Sequence, residues 1–147
     1  MAVRHQRFDT RQTMHNQTFE IFRYKDSYPK EVTLHHHDFY EVYFFLSGNV
    51  SYNIESRSYR LSPGDILLIS PNELHQPIFS PEQQNYERIV LWINKSFLEQ
   101  FDMVGNPVSR CFDTVFRLPI IRQLSQNIFK RRTQVRNDVA CRHRIFT

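Results

Sequence analysis

The chain has 147 residues, a formal net charge of +4, 40% hydrophobic and 23% charged residues. That length suits one compact domain without a second large one, and no apolar stretch approaches the length needed to cross a membrane. The positive charge belongs to one end: residues 1–121 carry 12 Lys and Arg against 14 Asp and Glu, whereas residues 122–147 carry seven basic residues against Asp138 alone. A body without a basic face is a poor candidate for direct nucleic-acid binding.

Residues 1–16 are polar and are expected to form an arm. The opening MAVRHQRFDTRQTMHNQ lacks the apolar run of a secretory signal, which points to a cytoplasmic location. Between residues 17 and 94, short β-patterned runs are expected at 18–24, 31–37, 39–47, 49–55, 57–61, 65–70, 75–80 and 86–94. They are joined by tight Pro, Gly, Asn and Ser connections, as in an antiparallel barrel or sandwich. Thirteen Phe and seven Tyr supply rigid groups for its interior. FYEVYFFL, residues 39–46, reads as a strand buried on both faces, with Gly48-Asn49 closing it as a hairpin. The chain has only three glycines, and two of them, Gly48 and Gly64, fall at expected turns that call for positive φ.

Beyond the barrel, Ser96-Phe97-Leu98-Glu99 has capping-box spacing and opens a short helix that buries Phe97, Leu98 and Phe101, ending at Gly105-Asn106-Pro107. A second helix is expected after Pro119, with Ile120, Ile121, Leu124 and Ile128 at helical spacing. Residues 95–132 thus read as a helical extension, whose apolar stripe suits a homodimer. Residues 133–147 read as a basic tail, capable at most of weak, salt-sensitive attachment to DNA. Cys111 and Cys141 have no paired spacing and read as free thiols.

The chemistry concentrates in His35-x-His37-x3-Glu41-x6-Gly48 and in Gly64-Asp65, followed by His75 in SPNELH. Side chains alternate along a strand, so His35 and His37 project to one side, and Glu41 shares their parity. Converging in a barrel, the three imidazoles and the carboxylate are a ligand set for a divalent transition metal such as Zn, Ni, Fe or Mn, or a polar floor for a small-molecule pocket. The pocket version needs no metal, since neutral imidazoles can hydrogen-bond a ligand directly. Tyr43 and Phe45 share the face of Glu41, and Trp92 offers a ring on which a sugar could stack, although core packing would account for all three. His36 faces away from this cluster.

These residues resemble the two cupin motifs, G-x5-H-x-H-x3-E-x6-G and G-x5-P-x-G-x2-H-x3-N. Aligned on them, the chain reads Pro29-x5-His35-x-His37-x3-Glu41-x6-Gly48 and Gly64-x5-Ser70-x-Asn72-x2-His75-x3-Phe79. The departures are Pro29 and Asn72 for glycine, Ser70 for proline and Phe79 for asparagine. None touches a position that binds metal in metal-dependent cupins, and Asn72 tolerates a left-handed backbone. More narrowly, residues 17 to 121, above all YERIVLWINKSFLEQF, resemble the N-terminal sensor domain of AraC-family transcription regulators.

That resemblance implies a mainly β cupin barrel (a jelly roll) with a C-terminal helical extension that dimerises. It implies a small polar effector, such as a sugar, and no obligatory metal. It also implies DNA contact only through a helix-turn-helix half, of which these residues hold none. The competing implication, from the wider cupin resemblance, is a small metal-dependent enzyme of isomerase or dioxygenase type.

Overall fold

A computed structural model of the chain describes residues 11–80, 82, 84–102 and 107–112. In chain order the strands are β1 (Phe19–Asp26), β2 (Tyr40–Ser47), β3 (Val50–Ile54), β4 (Arg57–Arg60), β5 (Ile66–Ile69), β6 (His75–Phe79) and β7 (Tyr86–Ile93). They form two antiparallel sheets, a four-stranded one in the order β1-β7-β2-β5 and a three-stranded one in the order β4-β3-β6. The fold is mainly β, as expected.

Three local expectations need correction. Residues 31–37 do not form a strand: His35 makes an isolated bridge to His75, with N–O distances of 3.2 and 2.9 Å. No residue from 31 to 36 is buried, so this segment lacks the apolar face that would hold it along a sheet. Nor does Gly48-Asn49 close a hairpin. β2 pairs with β5 and β7, and β3 with β4 and β6, so this turn carries the chain from one sheet to the other, with Gly48 at φ 131°. The tight hairpin lies at Glu55-Ser56, between β3 and β4.

The third correction concerns the helix, α1 (Lys95–Glu99). Its cap is Asn94, whose Oδ1 accepts the Phe97 amide at 3.3 Å, and Ser96 lies inside it. Asn94 directly follows β7 in an extended conformation (ψ 136°), the backbone that an N-cap requires. Leu98 is buried, but Phe101 is 53% exposed. A 3-10 turn, Val108–Phe112, follows. The expected second helix, its dimer stripe, the basic tail and residues 1–10 lie outside the described residues. Among the described residues, no helix is long and apolar enough to cross a membrane.

Period-2 alternation gives the four-stranded sheet two unlike faces. The inner face carries Tyr43 and Phe45 of β2, Leu67 and Ile69 of β5, and Val90 and Trp92 of β7 into one core with Tyr52 and Ile54 of the other sheet. The outer face carries Tyr40, Val42, Leu68 and Ile93, which pack with Leu98 and Phe112 in a second, smaller cluster. The functional candidates lie on the inner face.

Candidate functional site

Register explains how the site forms. Glu41 of β2 and Trp92 of β7 are direct cross-strand partners, and the indole Nε1 donates to Glu41 Oε2 at 2.7 Å. His37 comes in from the loop before β2, its ring stacked on Phe39 at 3.8 Å, with Nε2 3.4 Å from the same Oε2. His75 starts β6 and is fully buried. The potential ligand atoms of His37, Glu41 and His75 lie within 4.8 Å of one another. The structure therefore brings three of the four expected residues together. His35 stands beside them, half-buried, its ring edge-on to His75 at 4.3 Å, but outside that group.

All three imidazoles are oriented by the backbone. His35 Nδ1 donates to Thr33 O at 2.8 Å, His37 Nδ1 to Phe39 O at 2.9 Å and His75 Nδ1 to Glu73 O at 2.8 Å. A carbonyl only accepts, so each neutral ring keeps its proton on Nδ1 and presents a lone pair at Nε2. For His37 and His75 that Nε2 is buried with no hydrogen-bond partner. A lone pair on His37 thus faces a carboxylate oxygen at 3.4 Å, a repulsive contact unless a proton or cation lies between them. Two imidazoles and a carboxylate with backbone-fixed tautomers fit a divalent transition metal. Ligands about 2.1 Å from one ion sit at most about 4.2 Å apart, so binding calls for an inward adjustment of under about 1 Å.

Burial alone would raise the Glu41 carboxyl, but the neighbouring His37 and His75 imidazoles and the hydrogen bond from the Trp92 indole hold it down at about 2. Burial pushes His75 down from 6.5 to about 4, partly opposed by Glu41. Both shifts have the same consequence. Between about pH 4 and 6.5 the unfolded chain protonates its histidine while folded His75 does not, and from about pH 4.5 to 2 the same holds for Glu41. The unfolded state binds more protons throughout, so stability falls as pH falls. We expect a loss on the order of 2 kcal/mol from pH 7 to pH 4, seen as a falling Tm, with His75→Gln flattening the profile. A wild-type Tm level over that range would contradict the assignment.

Next to the trio, between the sheets, lies a cavity of about 50 Å³. Of the expected ligand-binding residues, His35, Glu41, Tyr43 and Trp92 line it. Phe45 does not: it is fully buried in the core. His37 and His75 are likewise absent from the cavity wall. Tyr52, Tyr86 and Arg88 complete the wall and were missed from sequence. The parity of Trp92 along β7, which also turns Tyr86 and Arg88 inward, was the signal that could have found two of them.

The wall is polar but internally matched. Arg88 pairs with Asp26 and lies over the Tyr24 and Tyr86 rings at 4.7 and 4.1 Å, and the Tyr43 and Tyr86 hydroxyls hydrogen-bond each other. Burial pushes Tyr86 up to about 12 and Tyr43 and Tyr52 well above the usual phenol range, so all three remain neutral hydroxyls. Arg11 and Gln12 of the expected arm also line the cavity. The Arg11 guanidinium sits 5.3 Å over the Trp92 ring and bonds to Glu20, which shares a cross-strand row with Trp92.

Comparison with known proteins agrees with this architecture. The model of the AraC-like ligand binding domain matches residues 18–136. Among solved structures, similarity extends to a cupin protein from Bacteroides fragilis (19% identity, 67% of this chain and 91% of that one, TM-score 0.49). It extends also to the DMSP lyase DddQ from Ruegeria pomeroyi DSS-3 (22% identity, 54% of this chain and 40% of that one, TM-score 0.46). A third is KdgF from Halomonas sp. (18% identity, 56% of this chain and 77% of that one, TM-score 0.46). The chain thus spans well under half of the lyase. No curated protein matches it. With the family model covering most of its length and both cupin-type segments folded into one barrel interior, the chain belongs to the AraC-like ligand-binding domain family.

Proposed function

We propose that this chain is the effector-sensing part of an AraC-type transcription regulator and binds a small polar metabolite between its sheets. The observation that carries the reading is the cavity itself, with neutral tyrosine hydroxyls, a carboxylate, an arginine and an indole around it and the Arg11–Gln12 segment at its edge. At about 50 Å³ the space holds a few waters but no sugar. A ligand the size of a sugar therefore has to displace the Arg11–Gln12 segment, of which Arg11 contacts Glu20, Phe22 and Trp92. Occupancy of the site is thereby converted into a position of the N-terminal arm. DNA recognition and dimerisation fall to segments other than the barrel.

The ligand contacts are assigned to His35, Glu41, Tyr43 and Trp92 with Tyr52, Tyr86 and Arg88, and Phe45 to packing. Screening metabolites by thermal shift tests this. A binder present at 100 times its Kd raises stability by about 2.7 kcal/mol, and Tyr86→Phe should weaken that shift while leaving the fold intact. A library of polar metabolites without any binder would count against the sensing role.

A second reading, a metal-dependent cupin enzyme, is favoured by one observation, the two unpartnered Nε2 atoms beside Glu41. His37, Glu41 and His75 would hold the ion, which supplies Lewis-acid chemistry to a bound oxygen ligand. Turnover of any thermal-shift binder, lost in His75→Ala, would establish this reading over the first.

A further inference from the structure

β6 is an edge strand of the three-stranded sheet, and its outer edge meets His35. There His75 bonds to His35 through both of its backbone groups. Backbone groups alternate in direction along an antiparallel strand, so Pro77 and Phe79 turn theirs to the same edge. Extending the bridge by two residues would set Thr33 opposite Pro77. That pair cannot form, because proline has no amide hydrogen, and the Thr33 carbonyl accepts instead from His35 Nδ1 at 2.8 Å. The ladder therefore stops after one bridge, and residues 28–34 part from the sheet edge.

A groove of about 410 Å³ opens where they part, lined by Tyr28, Pro29, Glu31, Gln76, Pro77 and Phe79. Its size falls within the range of ligand pockets, roughly 300–1,000 Å³. Pro77 lines the inner cavity as well, and so does Val32, so one thin wall separates groove from cavity. Among the described residues, a single hydrogen bond ties residues 28–34 to a strand: Gln76 Nε2 donates to Val32 O at 2.9 Å. No residue from 31 to 36 is buried, so little packing holds the wall in place. The arm is held more firmly, since Arg11 bonds to the Glu20 carboxylate and lies over the Phe22 and Trp92 rings.

We propose that the effector enters the cavity from this groove, past Val32, with the Gln76–Val32 bond as the latch. The inference rests on the sensing role proposed above. Entry and signal then use different parts of the molecule. The wall, tied to the three-stranded sheet, opens to admit the ligand; the arm, tied to the four-stranded sheet, moves when the ligand fills the space. Opening breaks one neutral hydrogen bond and leaves both sheets intact.

The test reads access to the cavity and uses no effector, so its failure is distinct from an empty metabolite screen. Val90 lines the cavity and is buried. In the full chain with Cys111→Ser and Cys141→Ser, Val90→Cys supplies a nearly isosteric thiol, and its alkylation by iodoacetamide is followed by mass. The labelling rate should change by less than about twofold in about 1 M urea, as a local opening requires. Adding Gln76→Ala should raise the rate about five- to tenfold, the factor that one neutral hydrogen bond supplies. Arg11→Ala should raise it by less than about twofold, because the open state keeps the arm contacts. Should Gln76→Ala fail to fold, Gln76→Glu keeps the size and removes the donor. Acceleration by Arg11→Ala equal to or above that by the Gln76 variant would overturn the proposal in favour of entry past the arm. A rate unmoved by either, or one that climbs with urea as steeply as global unfolding, would overturn it outright.

Discussion

Addition of zinc, nickel, iron(II) or manganese to protein purified without a metal column is expected to give one bound ion per chain and a large rise in stability. The trio supplies two lone pairs on fixed tautomers and a carboxylate already ionised far below neutral pH, so little protonation work opposes binding. At 100 times Kd the gain is about 2.7 kcal/mol, or roughly 10 °C in Tm for a domain of this size. His37→Ala and His75→Ala should each abolish both stoichiometry and shift. His35→Ala should weaken binding without eliminating it, and the exposed His36→Ala should change nothing. Wild-type binding by the His37 and His75 variants would remove the metal assignment and leave the polar cavity alone.

Arg88→Ala should be among the most damaging single substitutions in the barrel. Its side chain is 4% exposed and that of Asp26 22%. Truncation strands the carboxylate and vacates the space between the Tyr24 and Tyr86 rings. Breaking a buried pair costs about 3–5 kcal/mol, and the partial hydration of Asp26 places this case near 3, about 10 °C in Tm. Combining Arg88→Met with Asp26→Asn should recover much of the loss, because no uncompensated charge remains. An Arg88→Ala protein melting within 2–3 °C of wild type would show that the pair contributes little beyond the cost of desolvating it.

Which features were legible in sequence follows from the range of the interactions that made them. The convergence of His37, Glu41 and His75 was legible because motif spacing places Glu41 and His75 at strand starts and His37 in the loop just before β2. Asn72 was read correctly as tolerant of a left-handed backbone, which it adopts at φ 65°. The two histidines suggest a strand over 31–37, whereas strand formation depends on neighbours along the whole length and no residue from 31 to 36 is buried. Gly48 was misread for a different reason: sequence shows where a strand ends but not whether the next one pairs with it. Arg88 and the tyrosines of the cavity went unnoticed because a buried arginine needs a partner to make sense, and Asp26 is 62 residues away.

The crossing at Gly48 has a kinetic consequence. Neither of the strands adjacent to β2 in sequence is its partner in space, and β1 must find β7, with Arg23 and Glu87 separated by 64 residues. Folding dominated by such distant pairings runs on the millisecond-to-second scale. Until β5 and β7 arrive, FYEVYFFL is an unpaired, aromatic-rich segment whose single charge is Glu41, the kind of window that associates with its own copies. Refolding yield should therefore fall steeply with protein concentration, and more steeply still in Glu41→Gln, which removes the one charge that would act as a gatekeeper in this window.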